Sequence, residues 1–163
     1  MRFPTMMNPS PGVAFGTDMA IMLSPATVAI GDVLSIDATV LDSALRFTTM
    51  RAVATADFAT ASGAANAQIY QAVALDAATV AGSKIRCMFR GQPAALCTPA
   101  TTLGVTRMQP TNASAALATA SAAVGTGNKC VAIALDTNAT ATVLKQVLFN
   151  GVEGFGYSIT NTT

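Results

Sequence analysis

The chain of 163 residues has room for one ordinary domain or two very small ones, and 52% of it is hydrophobic, much of that alanine. Nine Lys and Arg against eight Asp and Glu leave a net charge of +1, too little to neutralise the many phosphates of a nucleic-acid partner. Histidine is absent, which removes the side chain best suited to proton transfer near neutral pH and the commonest metal ligand. Charged residues make up 10% of the chain, against about 25% in ordinary soluble domains. Such a surface is solvated by Thr, Ser, Asn and Gln or covered by partners.

The first twelve residues, MRFPTMMNPSPG, hold three prolines and no apolar run long enough for a signal peptide. They read as an extended arm whose apolar side chains, Phe3, Met6 and Met7, have nothing local to pack against. Pro4, Pro9 and Pro11 fix its backbone and remove donors. The arm is either a frayed terminus or a segment that docks on a neighbouring subunit. No stretch reaches eighteen consecutive apolar residues, so no membrane span is expected, and synthesis is expected in the cytoplasm. Residues 1–27 are taken as arm and lead-in, and 28–163 as one β domain.

From Val28 the pattern turns strand-like. Val28-Ala29-Ile30 precedes a Gly31-Asp32 turn signal, and Val33 to Ile36 follows it. Further strands are expected over 45–53, 68–75, 84–90, 101–107, 129–135 and 143–150, short and rich in Val, Ile, Thr and Phe, between Gly, Asp, Asn and Ser clusters. That grammar predicts an all-β fold, a β-sandwich or a small β-barrel, jelly-roll-like or immunoglobulin-like. Two Ala/Ser/Thr-rich stretches interrupt it: 56–67 is expected to be a loop, and 112–123 a loop or a short helix.

The chain also repeats itself at an offset of 60 residues. Ala72-Val73-Ala74-Leu75-Asp76 recurs as Ala132-Ile133-Ala134-Leu135-Asp136, and Phe89-x-Gly91 recurs as Phe149-x-Gly151. The units near 70–92 and 130–152 each read as a strand, an Asp-led turn and a second strand ending at glycine. Alternation sets Val73 and Leu75 on one face, and Cys87 and Phe89 on one face of the next strand. Cys87 then stands where the second unit has Val147. Two such hairpins can pack their apolar faces together about a local pseudo-twofold.

Few residues offer chemistry. Asp32, Asp76 and Asp136 follow strands or turns, where Asp commonly accepts backbone N–H bonds. Cys87, Cys97 and Cys130 form no CxxC pair; they read as small buried side chains, with a Cys87–Cys97 bridge as the alternative. Lys84, Arg86 and Arg90 share one strand face, a solvated face or a small basic patch for an acidic partner. Nucleophile-elbow, P-loop, dinucleotide and HExxH patterns are missing. No catalytic, cofactor-binding or metal-binding residue is nominated, and the enzyme reading fails for want of parts.

Gly31-Asp32-Val33, the strand Ala72 to Asp76, Gly82 and Gly91 resemble the turn-and-strand pattern of the small capsid decoration proteins of tailed bacteriophages. The resemblance spans roughly residues 28–151, with Gly104-Val105 as a possible second strand start of the same type. Gln71 and Ala72 replace the glycine usual before that strand. What the resemblance implies is a non-enzymatic cement protein on the outer surface of the virion head. It would clamp adjacent major capsid subunits against internal DNA pressure, commonly as a homotrimer, with no nucleic acid, membrane or cofactor involved. The interface residues expected on this reading are Phe3, Pro4, Met6, Met7, Pro9 and Pro11 of the arm, with Lys84, Arg86 and Arg90. Another phage head, tail or host-contact fibre component, or a small ligand-binding β-barrel, are the alternatives.

Overall fold

The computed structural model describes residues 17–54, 57, 59–60, 69–99, 101, 104, 106–111, 115–119, 127–139, 141–155 and 157–158. Among these the fold is all-β, with no α-helix. The arm residues Phe3, Pro4, Met6, Met7, Pro9 and Pro11 lie outside the described residues.

Among the described residues thirteen strands run in chain order: β1 (Asp18–Leu23), β2 (Val33–Ile36), β3 (Met50–Ala52), β4 (Ala59–Thr60), β5 (Gln71–Ala74), β6 (Lys84–Gly91), β7 (Ala94–Cys97), β8 (Arg107–Pro110), β9 (Leu117–Thr119), β10 (Gly127–Lys129), β11 (Ala132–Ala134), β12 (Val143–Asn150) and β13 (Tyr157–Ser158). Strands β7, β12, β11, β8 and β9 close into a five-stranded barrel, the last contact being parallel, Cys97 beside Leu117. Closure leaves these strands no free edge, which removes the commonest route to unwanted pairing.

The first half of the chain repeats that ring strand for strand. β1 pairs β6, β6 pairs β5, β5 pairs β2 and β2 pairs β3, all antiparallel. The ring then meets itself at one parallel bridge, Leu23 to Thr49, where the Leu23 amide donates to the Thr48 carbonyl at 2.8 Å. The registers agree too: Leu34 opposite Ala72 corresponds to Met108 opposite Ala132, and Ile36 opposite Met50 to Pro110 opposite Leu117. The bridge Val28–Ala78 corresponds to Thr101–Asn138. The repeat legible in two hairpins therefore extends over two sets of five strands, the second closed as a barrel and the first meeting itself through that one bridge. The small-barrel alternative is the one the pairing shows.

The barrels join about a local pseudo-twofold at Arg90 and Asn150. These two stand opposite each other where β6 meets β12, with Phe149 opposite Gly91 on one side. On the other side the Gly151 amide donates to the Phe89 carbonyl at 2.8 Å. The Phe-x-Gly of each repeat is thus the seam between barrels. One apolar cluster, with Ala95, Cys97, Met108, Leu117, Ala132, Ala134, Val147 and Phe149, fills the second barrel and continues into Val33, Val53 and Val73. The other, with Met22, Leu34, Ile36, Met50, Ala72, Ala74, Ile85, Cys87 and Phe89, fills the first.

Cys87 and Phe89 face the barrel interior together, as do Val147 and Phe149. On β5 the interior face belongs to Ala72 and Ala74, while Val73 points to the other cluster. A five-stranded ring is narrow, so small residues line part of it and the larger valine goes to the junction. Both faces of β2 and β5 are buried, which is why neither shows a clean apolar–polar alternation.

Several expected boundaries shift. β1 lies within the segment taken as lead-in, and β7 was not expected at all. The strand expected over 101–107 is instead β8, because Gly104 takes φ +69° and the strand starts beyond it. Gly31, at φ +89°, plays the same part before β2. Within the 45–53 segment only Met50–Ala52 pairs as a strand; Leu45 takes φ +58° in a turn whose amides at Ala44 and Arg46 donate to the Asp42 carboxylate. The Ala-rich stretch 112–123 contributes β9 and 56–67 contributes β4.

Three buried titratable groups tie stability to alkaline pH. Burial lowers the Lys129 ammonium to about 8, while its Nζ donates to the carbonyls of Gly151 at 3.2 Å and Val152 at 3.1 Å. Burial raises the Cys87 thiol to about 12 and the Cys97 thiol to about 11. Between the lowered lysine value and its ordinary one the unfolded chain binds more protons, so stability rises with pH from about 8. Above about 9 the unfolded thiols ionise while the folded ones stay protonated, and stability then falls. A melting temperature that peaks near pH 9 is expected. Cys87→Val, which installs the residue of the second repeat, should flatten the alkaline fall, and Lys129→Met the rise before it. Melting followed by circular dichroism from pH 7 to 11 checks both.

Candidate functional site

The acidic and basic residues singled out in the sequence are engaged locally. Asp32 accepts from the Ala29 amide at 2.8 Å and closes the turn before β2; burial raises its carboxyl above the ordinary range. Asp76 accepts from the Arg86 amide at 2.8 Å and from its guanidinium at 2.6 to 3.2 Å. Those bonds from Arg86 lower the Asp76 carboxyl to about 2. Asp136 accepts from the Thr137 amide at 2.8 Å and from Lys145 Nζ at 3.2 Å. The two aspartates of the repeat thus perform one task, holding the turn of each hairpin to its second strand.

Arg90 stands at the pseudo-twofold with Asp18 at 3.6 Å and Glu153 at 3.7 Å. Arg86 is taken by Asp76, and exposed Lys84 sits opposite Leu23 at the end of β1. The three cations of that strand face are spread along β6, two of them beside carboxylates. Cys87, Cys97 and Cys130 are all buried free thiols. Among the described residues no three of His, Cys, Asp and Glu converge as a metal site, and no helix is long and apolar enough to cross a membrane.

A surface feature with binding geometry lies on the first barrel, where β1 meets the residue before β3 at the bridge Leu23–Thr49. There a cleft of about 490 Å³ opens between β1 and the loop before β3. Met22, Ile36 and Phe89 form its floor and belong to the barrel core, and Val152 packs beside them. Met19, Phe47 and Tyr70 form its walls and are roughly half exposed, at 58%, 46% and 46%. Asp18 and Arg46 mark its rim. Isolated apolar side chains on a surface need no explanation, but three large ones around an apolar floor mark a contact site.

The second barrel has no matching exposure at the equivalent place. Cys130, 60 residues after Tyr70, is fully buried. Its carbonyl accepts the Phe155 amide at 2.6 Å, so the chain beyond β12 lies across that position. The Tyr70 carbonyl instead accepts from Ile36 at 2.9 Å. The counterpart of Ile36 is Pro110, which has no N–H to give, and the Cys130 carbonyl accepts from Phe155 instead.

Sequence reading missed the cleft because its parts come from segments far apart: β1, the loop at Phe47, the residue before β5, β6 and Val152. The one available signal was Met19-Ala20-Ile21-Met22, an apolar run inside a segment taken as lead-in. No family model, no curated protein and no solved structure matches this chain.

Proposed function

We propose that this chain is a structural protein of a tailed-phage head, bound to the outer surface of the shell and joining adjacent major capsid subunits. The observation that carries the reading is the apolar cleft of Met19, Phe47 and Tyr70 on a low-charge double barrel. An interface centre is depleted in charge and enriched in aromatic residues and methionine, and these three side chains have that character. The sequence resemblance supports the same reading, since its motif residues fall on the turns and strands that build one barrel unit: Gly31 before β2, β5, Asp76, Gly82 and Gly91.

The mechanism is mechanical. Packaged DNA presses outward, and a protein that spans a junction holds both sides at high effective concentration through several weak contacts. Preferential binding to the expanded shell would stabilise that state by mass action. As a homotrimer the protein would multiply those contacts.

Sedimentation of purified protein with expanded and unexpanded heads of its phage tests this reading. Co-sedimentation with expanded heads, lost on Phe47→Glu, is expected. Failure to sediment with either form would refute the assignment. Both barrel interiors are filled by side chains such as Phe149, Met108 and Met50, which favours surface docking over the alternative of a ligand-binding barrel.

A further inference from the structure

We infer, on the footing of the capsid reading, that β1 receives an extended segment of a major capsid subunit as an added strand, laid along the cleft of the first barrel. The main chain of β1 carries this. The Ser24 amide donates to the Ser83 carbonyl at 2.9 Å, toward β6, while the Leu23 amide donates to the Thr48 carbonyl at 2.8 Å, away from it. The Leu75 amide bonds the Arg86 carbonyl at 2.8 Å, so the Arg86 main chain faces β5. Its partner Ile21 therefore turns its own main-chain groups away from β6, and Met19 does the same by alternation. Leu23 finds its partner on that outer edge. Among the described residues the N–H and C=O groups of Met19 and Ile21 have none.

The loop before β3 leaves the edge open. The bridge Leu23–Thr49 is parallel, so pairing carried toward the start of β1 would call next on the Arg46 carbonyl. That carbonyl instead accepts the Asp42 amide at 3.0 Å, and Leu41 pairs with Phe47. The loop closes on itself and draws away from β1. Nothing within Met19 to Met22 guards the edge, since these residues include no proline and no charge, and Met19 and Ile21 are 58% and 68% exposed. The second barrel shows such an edge occupied. Leu96 lies opposite Leu144 as Leu23 lies opposite Lys84, and its amide donates to the Gly31 carbonyl at 2.8 Å. Gly31 belongs to the other half of the chain, so that edge takes main chain from outside its own barrel.

Main-chain donors and acceptors spaced two residues apart match an extended strand, not a helix or a small apolar ligand. Alternation sends every second side chain of the added strand toward Met22, Ile36 and Phe89, and the small Ala20 leaves room for it. On the rim Asp18 stands 3.6 Å from Arg90, and Arg46 stands 2.8 Å from Asp42. Both rim charges are answered within the chain, so the segment that fits is uncharged and apolar at alternate positions. Main-chain bonds supply the affinity and the apolar floor the register.

Hydrogen exchange followed by mass spectrometry on overlapping peptides across β1 tests this, in free protein and in protein bound to expanded heads. In free protein the Met19 and Ile21 amides should exchange fast, and those of Ala20 and Met22, which face β6, slowly. On heads the two fast amides should slow at least tenfold. Protection of both in free protein would mean that this chain or a second copy already fills the edge, and would overturn the inference. Ile21→Pro removes only an outward N–H, a change that edge strands tolerate. It should stay folded by circular dichroism and co-sediment with heads at least tenfold more weakly, while Ile21→Ala, which keeps the N–H, should lose less. Heads that never bind the wild type would refute the capsid reading and this contact together. Binding lost on Phe47→Glu but unchanged by Ile21→Pro, with Met19 and Ile21 still exchanging fast on heads, would overturn the added strand alone.

Discussion

Gly151→Ala is expected to destabilise the protein by about 3 kcal/mol or more, near the upper end for an overpacked site. A Cβ on residue 151 would overlap the main-chain carbonyl oxygen of Gln71 and crowd the ring of Phe149. The first of these is backbone and has no rotamer to move to. Three hydrogen bonds converge there: the Gly151 amide to Phe89, and the Gln71 amide and Lys129 Nζ to the Gly151 carbonyl. Any shift that relieves the clash loosens the seam between the barrels. At about 2–4 °C per kcal/mol for a chain of this size, the melting temperature should fall by roughly 6–12 °C. Gly82→Ala is the control. Unlike Gly151 it lies at a left-handed φ, +78°, but it has open space around it, so only the backbone penalty of about 1 kcal/mol is expected. Equal losses in the two variants would show that the seam is not a constraint.

Asp57→Ala is expected to cost about 3 kcal/mol, the low end for breaking a buried ion pair. The carboxylate is 1% exposed and accepts from Ser35 Oγ, the Ala54 amide and Arg51 Nη1, each at 2.8 Å, and from Arg51 Nη2 at 2.5 Å. Truncation strands a buried hydroxyl and an amide, while the Arg51 side chain, 30% exposed, recovers part of its solvation from water. The network pins β2 and β3 to the chain beyond them, and Gln71 Nε2 donates to the Asp57 carbonyl at 3.0 Å. The loss should therefore appear as a lower midpoint in urea with little change in slope. Asp57→Asn, which keeps an acceptor oxygen but not the charge, should lose less. A neutral Asp57→Ala would contradict the assigned role.

How much of this was legible in the sequence depended on whether a residue's partners were local. The turn at Gly31-Asp32 and the strands β2, β5, β6, β11 and β12 follow from β-branched runs between turn residues. The hairpin repeat was visible in Leu-Asp and Phe-x-Gly, but it disclosed neither that Gly91 and Gly151 lie at the seam nor that the other strands repeat as well. The other repeated strands share almost no residues: β1 reads DMAIML and β7 reads AALC, and their equivalence lies in pairing alone. Asp57 stood in an Ala-rich stretch read as a loop, since nothing near it signals partners at Ser35 and Arg51. The cationic strand was read from alternation, but Asp76, Asp18 and Glu153 reach Arg86 and Arg90 from other segments. The cleft was invisible for the same reason, being assembled wholly by tertiary contacts.

The central claim is that this double barrel is a fastening on a phage shell. A cryo-electron microscopy reconstruction of the heads of its phage tests that most directly. The account predicts density on the outer surface at junctions between capsid subunits, fitted by two adjoining five-stranded barrels with the first-barrel cleft turned toward a neighbouring chain. Heads whose outer surface is fully explained by the major capsid protein, with no density for this chain, would contradict it.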